Sequence, residues 1–171
     1  MAASEPRESR PPDLDRVIQE LPAGAIVLHH RVVPKTKTHI DYIVVAASGV
    51  WVIDTEQHAG RVDSRWVGPV WRREQALFAG VRNCTNLVAV VAKQVAAVAS
   101  VIASGDIPVR GALCFVGSDW GRFERAFEID DVLVVWPGDL VKRISEPGPL
   151  TPAEVTRLAN RIGFALPHAA G

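Results

Sequence analysis

Cysteine is scarce in this chain, with two among 171 residues. Cys84 and Cys114 stand far apart without a CxxC spacing, which argues against a disulfide framework and against a zinc knuckle; two buried, reduced thiols are expected. Net charge is missing too, since 19 Lys and Arg balance 19 Asp and Glu. No overall field therefore draws nucleic acid or an anionic membrane, and any such attraction must be local. The most apolar run, Leu87 to Ala103, is broken by Lys93 and Gln94 and reads as a buried helix, not a membrane span. Met1 to Pro12 carries Glu, Arg, Ser and Pro around no apolar core, so residues 1–12 are expected to be a flexible leader of a cytoplasmic protein, neither signal peptide nor anchor. GxGxxG and the P-loop pattern are absent, which leaves a nucleotide-cradling loop without support. No GxSxG surrounds Ser64, Ser100 or Ser118, and neither cysteine adjoins a recognisable base, so nucleophilic catalysis is unsupported.

What the chain does have is apolar residues, 48% of the total, enough for a sizeable core in one domain expected over residues 13–168. Asp13 is placed to cap a short helix with Leu14, Val17, Ile18 and Leu21 as its stripe. Ile26 to Val33 reads as a strand stopped by Pro34. Arg61 to Val67 and Val70 to Arg73 read as an exposed strand pair turned at Gly68-Pro69. Spacings of three and four at Leu87, Val91, Val95, Val98 and Ile102 predict a helix from about residue 83 or 85 to Ser104. Strands at Val109 to Val116 and Asp131 to Trp136 follow, joined by a polar link from Gly117 to Glu128. A short helix opens at Pro137, and a last one at Thr151, with Glu154 completing a capping box. Adjacent strands followed by a crossover helix predict an α/β, α+β-like sandwich: a mixed central β-sheet flanked by helices.

One segment concentrates chemistry. Residues 40 to 47 and 50 to 56 are rich in Val, Ile, Tyr and Trp around Ser48-Gly49, which predicts a tight hairpin. With Ser48-Gly49 as the loop, Ile43 faces Asp54 and Asp41 faces Glu56; a slip by one residue at both ends keeps the same parity. Asp41, Asp54 and Glu56 then project from one face. Like charges at cross-strand distance need a proton or a cation, so a divalent metal is the first functional expectation. Between Arg31 and Lys93, nine cations face five acids, a local basic bias. Trp66 and Trp71, flanked by Arg65, Arg72 and Arg73, are the tryptophans placed to meet nucleic acid, whereas Trp51 and Trp136 lie in apolar runs and read as core. His29, His30, His39 and His58 fit no HxxxH spacing and read as ordinary histidines.

These residues, in order, resemble the nuclease-related domain (NERD), a branch of the PD-(D/E)xK nuclease-like superfamily. The resemblance rests on Ile40-Asp41-Tyr42, Ser48-Gly49-Val50, Val52-Ile53-Asp54 and Gly60-Arg61-Val62. Leu87 to Gln94, Leu113-Cys114-Phe115 with Asp119-Trp120, and Val134 to Pro137 are similar to later parts of bacterial members. It implies a restriction-endonuclease-like core and phosphodiester cleavage with Mg²⁺ or Mn²⁺. By that resemblance Asp41 is the first metal-binding carboxylate, Asp54 the second, and Gln94 the helix glutamine that steadies the site. Glu56 stands where the family usually has the lysine that orients the attacking water. Either Glu56 binds an ion or takes the water's proton, or Lys35, Lys37 or Arg61 swings in, or the module is inactive and binds DNA or a protein partner. Lys35, Lys37, Arg61 and Arg65 are the expected phosphate contacts. DNA is the expected partner, with no membrane role.

Overall fold

The computed structural model describes residues 14–121 and 125–169. The expected leader and the Asp13 cap lie outside the described residues. A mixed sheet of six strands forms the centre, in the spatial order β1 (Ile26–Val32), β2 (His39–Ala46), β3 (Gly49–Gln57), β7 (Val109–Val116), β9 (Val132–Val135), β8 (Phe127–Ile129). A separate antiparallel sheet holds β4 (Val62–Val67), β5 (Glu74–Ala79) and β6 (Arg82–Asn83). Strands β1, β2 and β3 form an antiparallel meander, and α2 (Thr85–Ile102) carries the chain across to β7, which joins β3 in parallel. This is the mixed sheet flanked by helices that the element order predicts, with a nuclease-like core arrangement.

Both faces of the sheet are covered, which is why β2 and β3 read as near-continuous apolar runs instead of alternating ones. On one face α1 (Leu14–Ile18) and α3 (Pro137–Ile144) pack over Tyr42, Val44, Trp51, Ile53 and Cys114. On the other, α2 and α4 (Pro152–Ala165) pack over Ile43, Val45, Val50 and Val52. Helix α2 lies so close to β7 that a Cβ on Gly111 would meet Val91 Cγ1 and Val95 Cγ2 at 2.8 Å. By length and composition α2 could cross a membrane, but here Val88, Val91, Gln94, Val98 and Ile102 are buried against the sheets. Leu87 and Val95, read as part of its stripe, are only half-buried, because the buried face is rotated by about one position. Helix α4 begins with the expected capping box between Thr151 and Glu154.

The β2–β3 turn differs from the expectation by one residue at each end. Ala46 pairs with Gly49 and Val45 with Val50, so Ala47-Ser48 form the loop. The turn is held from outside: Ser48 Oγ donates to Ile144 O at 2.7 Å and accepts from Trp51 Nε1 at 3.0 Å, while Leu150 N donates to Ala47 O at 3.1 Å. Tertiary contacts set the loop where sequence offered two positions. Val70 to Arg73 are not a strand either. They form the turn, with Arg72 N bonded to Pro69 O and Gly68 at φ +94°, and the returning strand is β5. Strand β8 begins at the end of the stretch read as a polar link and runs one residue past it, as a short edge strand paired to β9. Trp51 is core as expected, whereas Trp136 is half-buried with its ring 5.1 Å from that of Trp120.

Candidate active site

Because β2 and β3 are antiparallel, the start of β2 and the end of β3 meet at one edge, and that edge carries the carboxylates. Ladder pairing stops at Tyr42 and Ile53. Continued by one residue, this register sets Asp41 opposite Asp54, not opposite Glu56. Where the ladder stops, the Asp41 carboxylate takes the place of a backbone acceptor: its Oδ2 receives Thr55 N at 3.0 Å and Thr55 Oγ1 at 2.7 Å. Two donors on one oxygen fix Asp41 at the fork between the strands.

Asp54 is half-buried beside it, and its pKa is pushed from 3.8 up to about 7. Burial is the largest cause, followed by the charge of Asp41 and a proton-sharing hydrogen bond with Asp41, and then by the charge of Glu56. A hydrogen bond from Gln94 works in the opposite direction. Gln94 comes from α2, is 1% exposed, and donates Nε2 to His39 O at 2.8 Å. The amide is thereby tied both to the entry of β2 and to the carboxylate on β3. Its Oε1 is buried with no partner among the described residues. Gln94 lies within the buried face of α2, where burying an amide is costly unless it is bonded.

Glu56 shares the Asp54 face of β3 by parity, and its Oε2 lies 3.4 Å from His58 Nε2. His58 sits against Phe115 with ring centroids 6.2 Å apart, and its carbonyl accepts Ser118 Oγ. The structure thus joins Asp41, Asp54 and Gln94 closely and turns Glu56 toward His58. Among the described residues no group of three or more His, Cys, Asp or Glu side chains is gathered to hold a metal ion. The donor chemistry nevertheless fits a hard cation of the Mg²⁺ type, which is commonly held by one or two carboxylates, with water and substrate oxygens as its other ligands. Burial and the neighbouring Asp41 charge make Asp54 costly to ionise, and a divalent cation is one way to hold it in its charged form.

Of the expected phosphate contacts, Lys35 and Lys37 are exposed on the β1–β2 link, at the same end of the sheet as Asp41. The Arg61 backbone bridges to Asp119 and its carbonyl accepts Gly80 N. Arg65 is committed to the small sheet: it pairs with Asp63 at 3.1 Å, donates to Gly80 O at 3.1 Å and lies 4.3 Å from the Phe78 ring centre. Thr55 and His58 are the neighbours that sequence reasoning did not assign to the site. Thr55 looks like any β-branched strand residue, so its grip on Asp41 left no signal.

No curated protein and no solved structure matches this chain. The family model for the nuclease-related domain matches residues 13–116, more than half of the sequence, a span that includes Asp41, Asp54, Glu56 and Gln94. The chain belongs to the nuclease-related domain (NERD) family, whose general kind is the PD-(D/E)xK nucleases.

Proposed function

We propose that this protein binds DNA and hydrolyses its phosphodiester bonds with Mg²⁺ or Mn²⁺ held by Asp41 and Asp54. The observation that carries the reading is the half-buried Asp41–Asp54 pair, braced by Gln94, in a chain of this family. Asp41, fixed by Thr55, would present its remaining lone pairs to the cation, and Asp54 would give up its proton on binding. Gln94 would keep Asp54 oriented. A bound divalent cation would supply charge neutralisation at the phosphate and acidify the attacking water. Glu56, beside His58, would then accept a proton from that water, with Lys35 and Lys37 meeting the flanking phosphates. The expected setting is cytoplasmic. Plasmid and single-stranded DNA incubated with Mg²⁺ or Mn²⁺ should be cleaved by the wild type and not by Asp54→Asn. Cleavage that survives this substitution unchanged removes the assignment.

A second reading, an inactive module that binds DNA or a protein, is favoured by one observation: Glu56 stands in place of lysine and faces His58. Calorimetric titration with Mn²⁺ separates the two. Tight binding lost in Asp41→Asn supports the enzyme, and no binding supports the module.

A further inference from the structure

The crossover from β3 to α2 does not go straight into the helix; it first builds the small sheet of β4, β5 and β6. Its inner part is anchored, since Val62, Leu77 and Ala79 are buried in one cluster with Val88 and Val91 of α2. Its far end is bare. Trp66 is 67% exposed and Trp71 88%, with Val70 at 79% between them. A pair of large aromatic rings left in water at a hairpin tip is a costly arrangement for a purely structural turn. The turn is tight: Gly68 sits at φ +94°, where a Cβ would lie 2.5 Å from Arg72 O, and Gln75 Nε2 bonds Ser64 Oγ across the strands. The rings are therefore carried on a braced support.

Charge indicates what these rings meet. The chain as a whole is neutral, yet between Gly60 and Asn83 there are five arginines, no lysine and two acids. No acid lies between Trp66 and Arg73. Arg72 reaches Glu74 at 3.4 Å in a pair that is largely exposed, a weak tie that an incoming anion can replace. Arg73 has no ion pair among the described residues. Tryptophan flanked by arginine is a combination that stacks on bases and neutralises phosphates, and stacking is tolerant of sequence because every base has a π-face. The base of the hairpin follows Glu56 by only a few residues, and Trp66 stands about 14 Å along β4 from Val62.

We propose that the β4–β5 hairpin tip, through Trp66, Trp71 and Arg73, grips single-stranded nucleic acid. This extends the nucleic-acid reading of the carboxylate edge, but it concerns a separate surface and can be tested without catalysis. Full-length protein in EDTA is titrated with a fluorescent oligothymidylate, followed by anisotropy, with circular dichroism confirming the fold of each variant. Trp66→Ala and Trp71→Ala should each weaken binding roughly 5- to 100-fold, with Trp→Phe at either position retaining most of it. Arg73→Ala should flatten the dependence of affinity on salt. The proposal is overturned if wild type does not bind the oligonucleotide at low salt, or if the double tryptophan variant binds it as well as wild type does. It is likewise overturned if the double variant loses only self-association in sedimentation, or only binding to phosphatidylserine vesicles. Intact binding with no cleavage under Mg²⁺ or Mn²⁺ would remove the nuclease reading and leave this surface standing.

Discussion

Asp54→Asn is expected to stabilise the metal-free protein at alkaline pH, an uncommon sign for a change at a half-buried position. The folded protein holds the Asp54 proton up to about pH 7, whereas the unfolded chain releases it near 3.8. Between those values the folded state binds more protons than the unfolded one, so wild-type stability falls as pH rises through the window. From about pH 5 to about pH 8 the nominal loss is about 2.7 kcal/mol, at about 1.36 kcal/mol per unit. Asp54 keeps contact with water, and screening reduces this to roughly 1.3 kcal/mol. Asparagine has the same shape and no charge, so the variant escapes the loss. The assay is urea unfolding in EDTA at both pH values for both proteins. With a slope of about 2.5 kcal/mol per molar urea, the midpoint difference between variant and wild type should move by about 0.5 M in favour of the variant on going to high pH. A difference that stays flat with pH would refute the account of the carboxylate pair. Adding Mn²⁺ above neutral pH should recover the lost stability in wild type alone.

Gly111→Ala should cost about 1–3 kcal/mol and lower the thermal midpoint by several degrees, because its Cβ would strike Val91 and Val95 at 2.8 Å. The Cys114 thiol is pushed up to about 12 by burial, so at about pH 8 it should not react with a disulfide reagent until urea unfolds the chain. Removing the capping box by Thr151→Ala should destabilise the protein by about 1 kcal/mol, measured as a urea midpoint shift with an unchanged slope. Gln94→Leu should cost about 1–3 kcal/mol by leaving the His39 carbonyl without its donor, and, by raising the folded Asp54 pKa further, it should move the upper end of the pH-dependent loss to higher pH while its onset near the unfolded value stays in place.

The mixed sheet with its parallel crossover, and the hairpin that carries the carboxylates, were readable because each rests on a local pattern. Short segments rich in Val, Ile, Tyr and Trp and broken by Ser48-Gly49 or Pro34 read as strands, and a helical period between them and Val109 lets the later strand join in parallel. Where the hairpin loop sits was not readable, because both candidate loops keep the same side chains on the same faces; bonds from Ile144 and Leu150, a hundred residues away, decide it. Strand β5 was passed over because its Gln75, Ala76 and Leu77 give little β-propensity signal, while Val70-Trp71 imitates a strand and is a turn. At the site, the carboxylates and the glutamine carry motif spacing. Thr55 does not, since its part depends on the ladder stopping one residue early.

The turn at Ala47-Ser48 bears on how the chain reaches its fold. The family match ends at Val116, but the turn is tied down by Ile144 and Leu150, and β7 finds its second neighbour only in β9. A ribosome that has delivered the chain only as far as Val116 has released all four site residues, with β7 still offering an open parallel edge. The family-matched segment therefore must wait for its own C-terminal third. A chain stopped at the family boundary should aggregate through that edge instead of yielding a smaller nuclease-like unit.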